Sequence, residues 1–200
     1  MKLYYMPGAC SLADLIVLQW AGMPHERVRM DLASLKSPGY LAINAGGTVP
    51  LLEEGDFRLT ENVAILGYLA DLNPHAQLIG DGTPRGRAEV MRWLGFLNSD
   101  VHKAFKPIFT PGRFLEDPAF AEALASTARV HVREYLERLD AQLAGRDWLT
   151  GQRSIADPYL FVILRWAFGK NVDMRGLENL ARFADRMNAD AGVRAALDSE

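Results

Sequence analysis

Three residues near the N-terminus carry groups that take part in thiol chemistry. Cys10, the only cysteine, follows the helix breakers Pro7–Gly8 and precedes an apolar stretch with helical spacing. Because the positive end of a helix lowers the pKa of a thiol, this position predicts a reactive thiolate able to form a mixed disulfide with a small thiol. The Tyr5 and Ser11 hydroxyls are nearby candidate hydrogen-bond donors to a thiolate. The alternative is that all three are structural: Cys10 as a small buried thiol, Tyr5 as a half-buried strand aromatic and Ser11 as a helix N-cap.

A second set of residues has the features of a peptide-binding pocket. Pro50 follows the β-branched Val49, so Val49–Pro50 is a candidate cis peptide bond, and Val49 keeps a free N–H and C=O at a strand edge. An extended peptide binds such an edge by strand addition. Glu61 offers a negative charge for an amine, and the helix beginning near Asn62 offers unpaired N–H groups for a carboxylate. A zwitterionic peptide fits this pattern, and the alternative is a plain hairpin followed by a capped helix.

Small and polar residues along one predicted helix form a third candidate surface. Gly95, Ser99, His102, Lys103 and Lys106 recur at the spacing of one helical face. This face predicts a cleft that holds an anion, and the alternative is a solvent-exposed face.

The elements that must position these residues follow from hydrophobic periodicity. Strand patterns cover residues 2–6, 27–32, 48–52 and 57–59, and helices are predicted over 11–21 and from about residue 62. The order strand, helix, strand, strand, strand, helix predicts a βαβ unit and a hairpin on one mixed four-stranded sheet.

After a linker at residues 77–84, no strand pattern occurs. Helices are predicted over residues 85–105, 119–143, 159–168, 177–187 and 193–197. Ser154 and Asp157 have capping-box spacing before the nearly all-apolar third of these helices, which is the expected buried centre. The sequence therefore predicts an α+β fold, with a sheet domain at residues 1–76 and an all-helical domain at residues 85–200.

Composition excludes several classes of protein. With 49% hydrophobic and 24% charged residues, the 200-residue chain is predicted to be globular and soluble. A net charge of −3 argues against nucleic acid as a partner, and no apolar run reaches the length of a membrane span. One cysteine and no signal-peptide pattern predict a cytoplasmic protein. The other histidines lack metal-ligand spacing, so no metal site is predicted: His25, His75 and His131.

Five segments together resemble the cytosolic glutathione S-transferases, and most of all the bacterial beta class. They are KLYYMPGACSLA, TVPLL, TENVAI, HKAF and SIADPYLFVILRW, in the family's order over almost the whole chain. The resemblance implies a thioredoxin-like N-terminal domain, an all-helical bundle as C-terminal domain, and a homodimer. It also implies glutathione as co-substrate, whose thiol is activated and transferred to small hydrophobic electrophiles.

The resemblance assigns roles to the first two sets of residues. Val49 would pair with the cysteinyl backbone of glutathione across cis-Pro50. Glu61 and Asn62 would hold the γ-glutamyl ammonium and carboxylate, and Cys10 would face the glutathione sulfur.

Further roles follow from the same resemblance. His102 and Lys103 would line the cleft, and Ser99 and Asp100 would reach the ligand of the partner subunit. Lys36 would approach the glycyl carboxylate, although its segment is shorter than in typical members.

The chain departs from the family pattern at three places. Asn62 stands where serine is usual, Gly95 where the beta class often has asparagine, and Ala45 where proline is usual before Gly46. These differences predict weaker glutathione binding or a changed second substrate.

The expected reaction is attack of the glutathione thiolate on an electrophilic carbon or a disulfide, with Cys10, Tyr5, Ser11 and His102 as catalytic candidates. The second substrate would contact a hydrophobic wall made of Phe105, Ile108, Phe109 and Trp166. Alternative reactions on the same fold are disulfide exchange or peroxide reduction, dehalogenation, isomerisation and ether cleavage. The non-enzymatic alternative is a stress or transcription-partner module.

Overall fold

The four strands of the predicted mixed sheet all lie within the first 60 residues. The structure, a computed structural model, describes all residues, Met1–Glu200. The strands are β1 (Lys2–Tyr5), β2 (Glu26–Arg29), β3 (Leu51–Glu54) and β4 (Phe57–Thr60). Their order is β2-β1-β3-β4, with β1 parallel to β2 and antiparallel to β3, and β4 antiparallel to β3. This arrangement confirms the βαβ unit and the hairpin.

The strand predicted over residues 48–52 is wrong in its start and in its position. β3 begins at Leu51, directly after Pro50, because proline has no N–H to donate to the ladder. β3 is also a central strand, with β1 and β4 on its two sides. Val49 therefore lies beyond the end of the ladder and not on a sheet edge.

Helices make up most of the remaining structure, and no strand follows β4. They are α1 (Leu12–Trp20), α2 (Pro38–Ile43), α3 (Asn62–Leu72), α4 (Pro84–Phe96), α5 (His102–Ala104), α6 (Lys106–Phe109), α7 (Ala121–Gln142), α8 (Ala156–Gly169), α9 (Glu178–Ala189) and α10 (Ala191–Leu197). No helix combines the length and the apolar character that crossing a membrane requires.

The helix predicted over residues 85–105 is interrupted. α4 ends at Phe96, a π-helical turn covers Leu97–Val101, and α5 follows. A π turn adds a residue per turn, so the faces before and after it are no longer aligned. For this reason His102 is half-buried while Ser99 and Lys103 are exposed.

One continuous hydrophobic core joins the sheet to the helices on both sides of residues 77–84. It extends from Leu3 to Ala196, and α1 is buried along its whole first part, residues 12–18, because it packs against α3, α8 and α10. α8 is buried over residues 156–164, as predicted, while Phe168 in its last turn is exposed.

Only the Asp157 half of the capping box predicted before α8 forms, around a buried carboxyl group. Ser154 is not the N-cap as predicted, because α8 begins at Ala156 with Ile155 at that position. Asp157 Oδ2 accepts hydrogen bonds from the Ser154 N–H (2.7 Å) and from Ser154 Oγ (3.1 Å). Asp157 Oδ1 accepts from the Leu149 N–H at 2.9 Å. Asp157 and Ser154 are both fully buried, so the carboxylate ties a loop to the start of α8 inside the core.

Candidate functional site

The backbone at Val49 is unpaired and follows a carbonyl that two side chains anchor. The Val49–Pro50 peptide bond is cis, which confirms the sequence-based prediction. The Val49 N–H and C=O make no backbone hydrogen bond. The preceding carbonyl, Thr48 O, accepts from the Tyr40 hydroxyl at 2.6 Å and from Asn44 Nδ2 at 2.8 Å. The structure thus presents one free donor and one free acceptor of the kind that an extended peptide pairs with.

The start of α3 combines unpaired N–H groups with a negative charge. The N–H groups of Asn62, Val63 and Ala64 make no backbone hydrogen bond, and the first bond of the helix joins the Ile65 N–H to Glu61 O. Glu61 has φ 72°, a positive value that costs a non-glycine residue about 1–3 kcal/mol. Its carboxylate is exposed and caps nothing. A carboxylate and an ammonium of one ligand would both find partners here.

The side chain of Asn62 does not have the predicted position. It is only 4% exposed, and its amide lies against the Asp14 carboxyl on α1. We assign the amide so that Nδ2 donates to both carboxyl oxygens, at 2.8 and 3.1 Å. Asp14 is fully buried, and burial raises the pKa of its carboxyl well above the usual value. Burying the Asp14 carboxyl without a hydrogen-bond partner would cost free energy of folding, which explains why the Asn62 amide turns inward to meet it. Only the backbone N–H of Asn62 remains for a ligand. An acidic residue within an apolar helix was the available signal for this pair.

The predicted lowering of the Cys10 pKa is wrong. Cys10 is 9% exposed, and burial, with a further contribution from the Asp14 charge, raises the pKa of its thiol to about 12. α1 begins only at Leu12, so the helix dipole acts less on the sulfur than desolvation does. The thiol is protonated at neutral pH and is not a ready nucleophile.

The hydroxyls of Tyr5 and Ser11 are both engaged in other bonds. Tyr5 donates to the carbonyl oxygen of Ser199 at 2.9 Å. Ser11 Oγ accepts from the Met6 N–H (3.2 Å) and donates to Met6 O (3.4 Å). Ser11 lies at the N-cap position of α1, yet its side chain does not cap the helix. Neither hydroxyl is free to donate to a sulfur.

His102 is held by a buried hydroxyl on α8. The Tyr159 hydroxyl donates to Asn98 Oδ1 at 2.9 Å and lies 2.7 Å from His102 Nδ1. Because the single hydroxyl proton goes to Asn98, we assign the Nδ1–H tautomer to His102, which leaves a lone pair on Nε2. Burial, with the nearby Lys106 charge, lowers the pKa of His102 to about 4. The side chain is therefore neutral, which corrects its predicted place in a cationic surface.

We expect His102 to show no titration between about pH 5 and pH 8, where an ordinary histidine changes charge. Unfolded, the same side chain has a pKa near 6.5, so the unfolded state binds its proton more readily. The stability that neutral His102 contributes is therefore present above about pH 6.5 and is lost as the pH falls toward 4. Histidine side-chain NMR measures this, with the His102→Gln variant identifying the signal. An inflection of that signal near pH 6.5 would contradict the buried placement.

Aromatic side chains form an apolar wall beside His102. The ring of Trp166 lies 4.6 Å from that of His102, 5.6 Å from that of Phe105 and 5.3 Å from that of Phe109. Trp166 Nε1 donates to Gly8 O at 2.7 Å, which brings this wall against the loop that carries Cys10. Ile108 packs against the same core. Phe105 is fully buried, so its predicted contact with a second substrate is wrong, and it supports the wall from inside the core.

The remaining candidates are exposed charged or polar residues. The Lys36 ammonium lies beside Gly47, in the segment that leads to Val49. A side-chain Cβ at position 47 would be 3.7 Å from Lys36 Nζ. Ser99 and Asp100 contact each other on the π-helical turn, and Lys103 is exposed on α5. The structure thus brings Lys36 close to the segment that precedes Val49. Ser99, Asp100 and Lys103 lie instead on the π-helical turn and α5.

Comparison with known proteins gives matches along the whole chain. Residues 1–71 match the family model of the glutathione S-transferase N-terminal domain, and residues 97–191 match that of the C-terminal domain. Glutathione S-transferase GST-4.5 of Xanthomonas campestris pv. campestris is 50% identical over 201 residues, which cover 100% of this chain and 98% of that protein.

Solved structures match equally well. A glutathione S-transferase from Xylella fastidiosa gives a TM-score of 0.96 at 46% identity, covering 99% of this chain and 97% of that one. A sphingomonad glutathione S-transferase complexed with glutathione gives a TM-score of 0.87 at 38% identity. A bacterial beta class enzyme from Sphingomonas chungbukensis gives the same two values, and in both cases the match covers 100% of this chain and 98% of the other.

Proposed function

Because this chain belongs to the glutathione S-transferase family, we propose that glutathione lies along the Val49–Pro50 backbone with its glutamyl end at the start of α3. The chain is an enzyme that uses glutathione as co-substrate, with bacterial beta class enzymes among its structural neighbours. The observation that carries the placement is that three unpaired features lie at one end of the β3–β4 ladder, where Leu51 pairs with Thr60. They are the Val49 N–H and C=O, the α3 N–H groups and the Glu61 carboxylate.

Each feature has a counterpart in the tripeptide. The cysteinyl N–H and C=O pair with Val49, as an added strand would. The glutamyl carboxylate accepts from the N–H groups of Asn62 and Val63, and the glutamyl ammonium pairs with Glu61. Lys36, near Gly47, is available to the glycyl carboxylate.

The glutathione sulfur lies at the loop that precedes α1. The N–H groups of Cys10 and Ser11 make no backbone hydrogen bond. In this proposal they and the positive end of α1 stabilise the glutathione thiolate. Each unit by which the site lowers the thiol pKa corresponds to about 1.4 kcal/mol. Cys10 borders this position as a protonated thiol, and the structure gives no support to a dithiol or thiolate exchange role.

The second substrate is a small hydrophobic electrophile that contacts Ile108, Phe109 and Trp166, with the fully buried Phe105 packed behind them. The glutathione sulfur forms a bond to its electrophilic carbon, and the leaving group departs with the bonding electrons. Holding the two reactants side by side supplies much of the acceleration. Neutral His102 accepts a hydrogen bond at Nε2 and carries no charge into this apolar region.

Assembly and location complete the proposal. The protein is a cytoplasmic homodimer, in which the exposed Ser99 and Asp100 face the ligand of the partner subunit and Lys103 lines the cleft. The sheet domain at residues 1–76 binds glutathione, and the helical domain at residues 85–200 binds the electrophile.

Ligand truncation tests this placement. We expect cysteinylglycine, which keeps the thiol and the groups that pair with Val49, to bind at least about 10-fold more weakly than glutathione, because it lacks the charged glutamyl end. Isothermal titration of the unmodified protein with both thiols measures the ratio. Equal affinities would show that the start of α3 does not hold the glutamyl group.

A further inference from the structure

The last two residues of the chain contact the β1–α1 loop, residues 6–11, which carries Cys10. The Gly8 N–H donates to Glu200 Oε1 at 2.9 Å, and Arg165 Nη2 lies 3.5 Å from Glu200 Oε2. One residue earlier, Ser199 O accepts the Tyr5 hydroxyl proton. We call Ser199 and Glu200 the C-terminal clamp.

The clamp supplies bonds that the loop does not make within itself. The loop is closed internally by the Ala9 N–H to Met6 O and by Ser11 Oγ to Met6. Gly8, at φ +75°, takes no part in these bonds. Its N–H is bound only by Glu200, and its carbonyl is bound by Trp166.

The Glu200 carboxylate is held in a partly enclosed place. Its side chain is 10% exposed, between the Gly8 N–H and the Arg165 guanidinium of α8. α10, which ends two residues before the clamp, packs against α1. The clamp is therefore positioned by α10, through its packing against α1, whose N-terminus adjoins the β1–α1 loop.

We propose that Ser199 and Glu200 are positioning residues for the reaction, fixing the Gly8 peptide and keeping the Tyr5 hydroxyl away from the glutathione sulfur. The inference rests on the proposed placement of that sulfur at the β1–α1 loop. The clamp also connects the β1–α1 loop to the apolar wall beside His102, because Glu200 binds the N–H of Gly8 and Trp166 binds its carbonyl. Tyr5 then acts through the clamp and not as a donor to the thiolate.

Glutathione conjugation of a chlorinated nitrobenzene tests the clamp. We expect Glu200→Ala to lower kcat/KM by about five-fold or more, and Glu200→Gln, which keeps an acceptor for the Gly8 N–H, by less than about three-fold. The matched control Asp198→Ala removes the same charge from an exposed neighbour and leaves kcat/KM unchanged. Unchanged kcat/KM in Glu200→Ala would overturn the inference, as would a fall in Tm of more than about 5 °C, which indicates a structural role.

A double variant separates the clamp from direct catalysis by Tyr5. Because Tyr5→Phe and Glu200→Ala release the same clamp, we expect the double variant to be no slower than the slower single variant. Multiplying effects would show that Tyr5 acts independently, on the thiolate itself, and would refute the proposal. Glu200→Ala still prefers glutathione over cysteinylglycine, because the start of α3 is intact. If the unmodified protein binds cysteinylglycine as tightly as glutathione, the glutathione placement is refuted. A failure of that placement is thus distinguishable from a failure of the clamp proposal, which the Glu200 variants test.

Discussion

Replacing Asp157 by alanine lowers the free energy of unfolding by about 3 kcal/mol, because two buried N–H groups lose their acceptor at about 1–3 kcal/mol each. These are the N–H groups of Ser154 and Leu149, both inside the core. For a domain of this size such a loss corresponds to a fall in Tm of about 6–12 °C. Urea denaturation followed by circular dichroism, at one fixed protein concentration, measures the change.

Asp185→Ala is the matched control for this prediction. Asp185 is exposed on α9, so the same substitution there changes stability by no more than about 0.5 kcal/mol. If Asp157→Ala and Asp185→Ala had the same unfolding midpoint, the capping contact would contribute nothing to the stability of the core.

Replacing Glu61 by glutamine raises KM for glutathione by about 10-fold or more, since a hydrogen bond to a charged partner is worth about 1.5–3 kcal/mol. The substitution keeps the shape of the side chain and its backbone φ of 72° but removes the charge that pairs with the glutamyl ammonium in the proposed placement. The glutamyl end is remote from the sulfur, so kcat stays within about two-fold. Steady-state kinetics at saturating electrophile measures both constants.

Asp56→Asn is the control for Glu61→Gln. Asp56 is exposed in the two-residue turn between β3 and β4, so this variant makes the same change in net charge without touching the start of α3. KM for glutathione should stay unchanged in Asp56→Asn. A KM that rises equally in both variants would point to long-range electrostatics, and an unchanged KM in Glu61→Gln would remove Glu61 from the binding site.

The features that could be predicted from the sequence are those that neighbouring residues set. Pro50 after a β-branched residue indicated the cis bond, and the Ser154–Asp157 spacing indicated the capping contact. Alternation and turn residues indicated the βαβ unit and the hairpin, although Pro50 shortened the third strand. The unpaired N–H groups after Glu61 follow from the start of a helix, which the sequence located within a residue or two.

The features that could not be predicted depend on contacts between distant segments. Cys10 has the local signs of a reactive thiol, but burial beside Asp14 keeps it protonated. Asn62 has the place of a ligand-binding side chain, but a carboxyl on another helix takes its amide. Apolar residues continue to recur every three or four positions through the π-helical turn at Leu97–Val101, so the sequence predicted one uninterrupted long helix.

The sequence by itself determined the order of the elements, the cis peptide bond before Pro50 and the charged start of α3, because these depend on local backbone preferences and on helix ends. Only the tertiary structure decided which polar groups remain free. The Tyr5 hydroxyl and the Ser199 carbonyl are 194 residues apart and meet at 2.9 Å because α10 packs beside α1. The pKa of Cys10 and that of His102 are likewise set by the desolvation that folding imposes, which no sequence spacing contains.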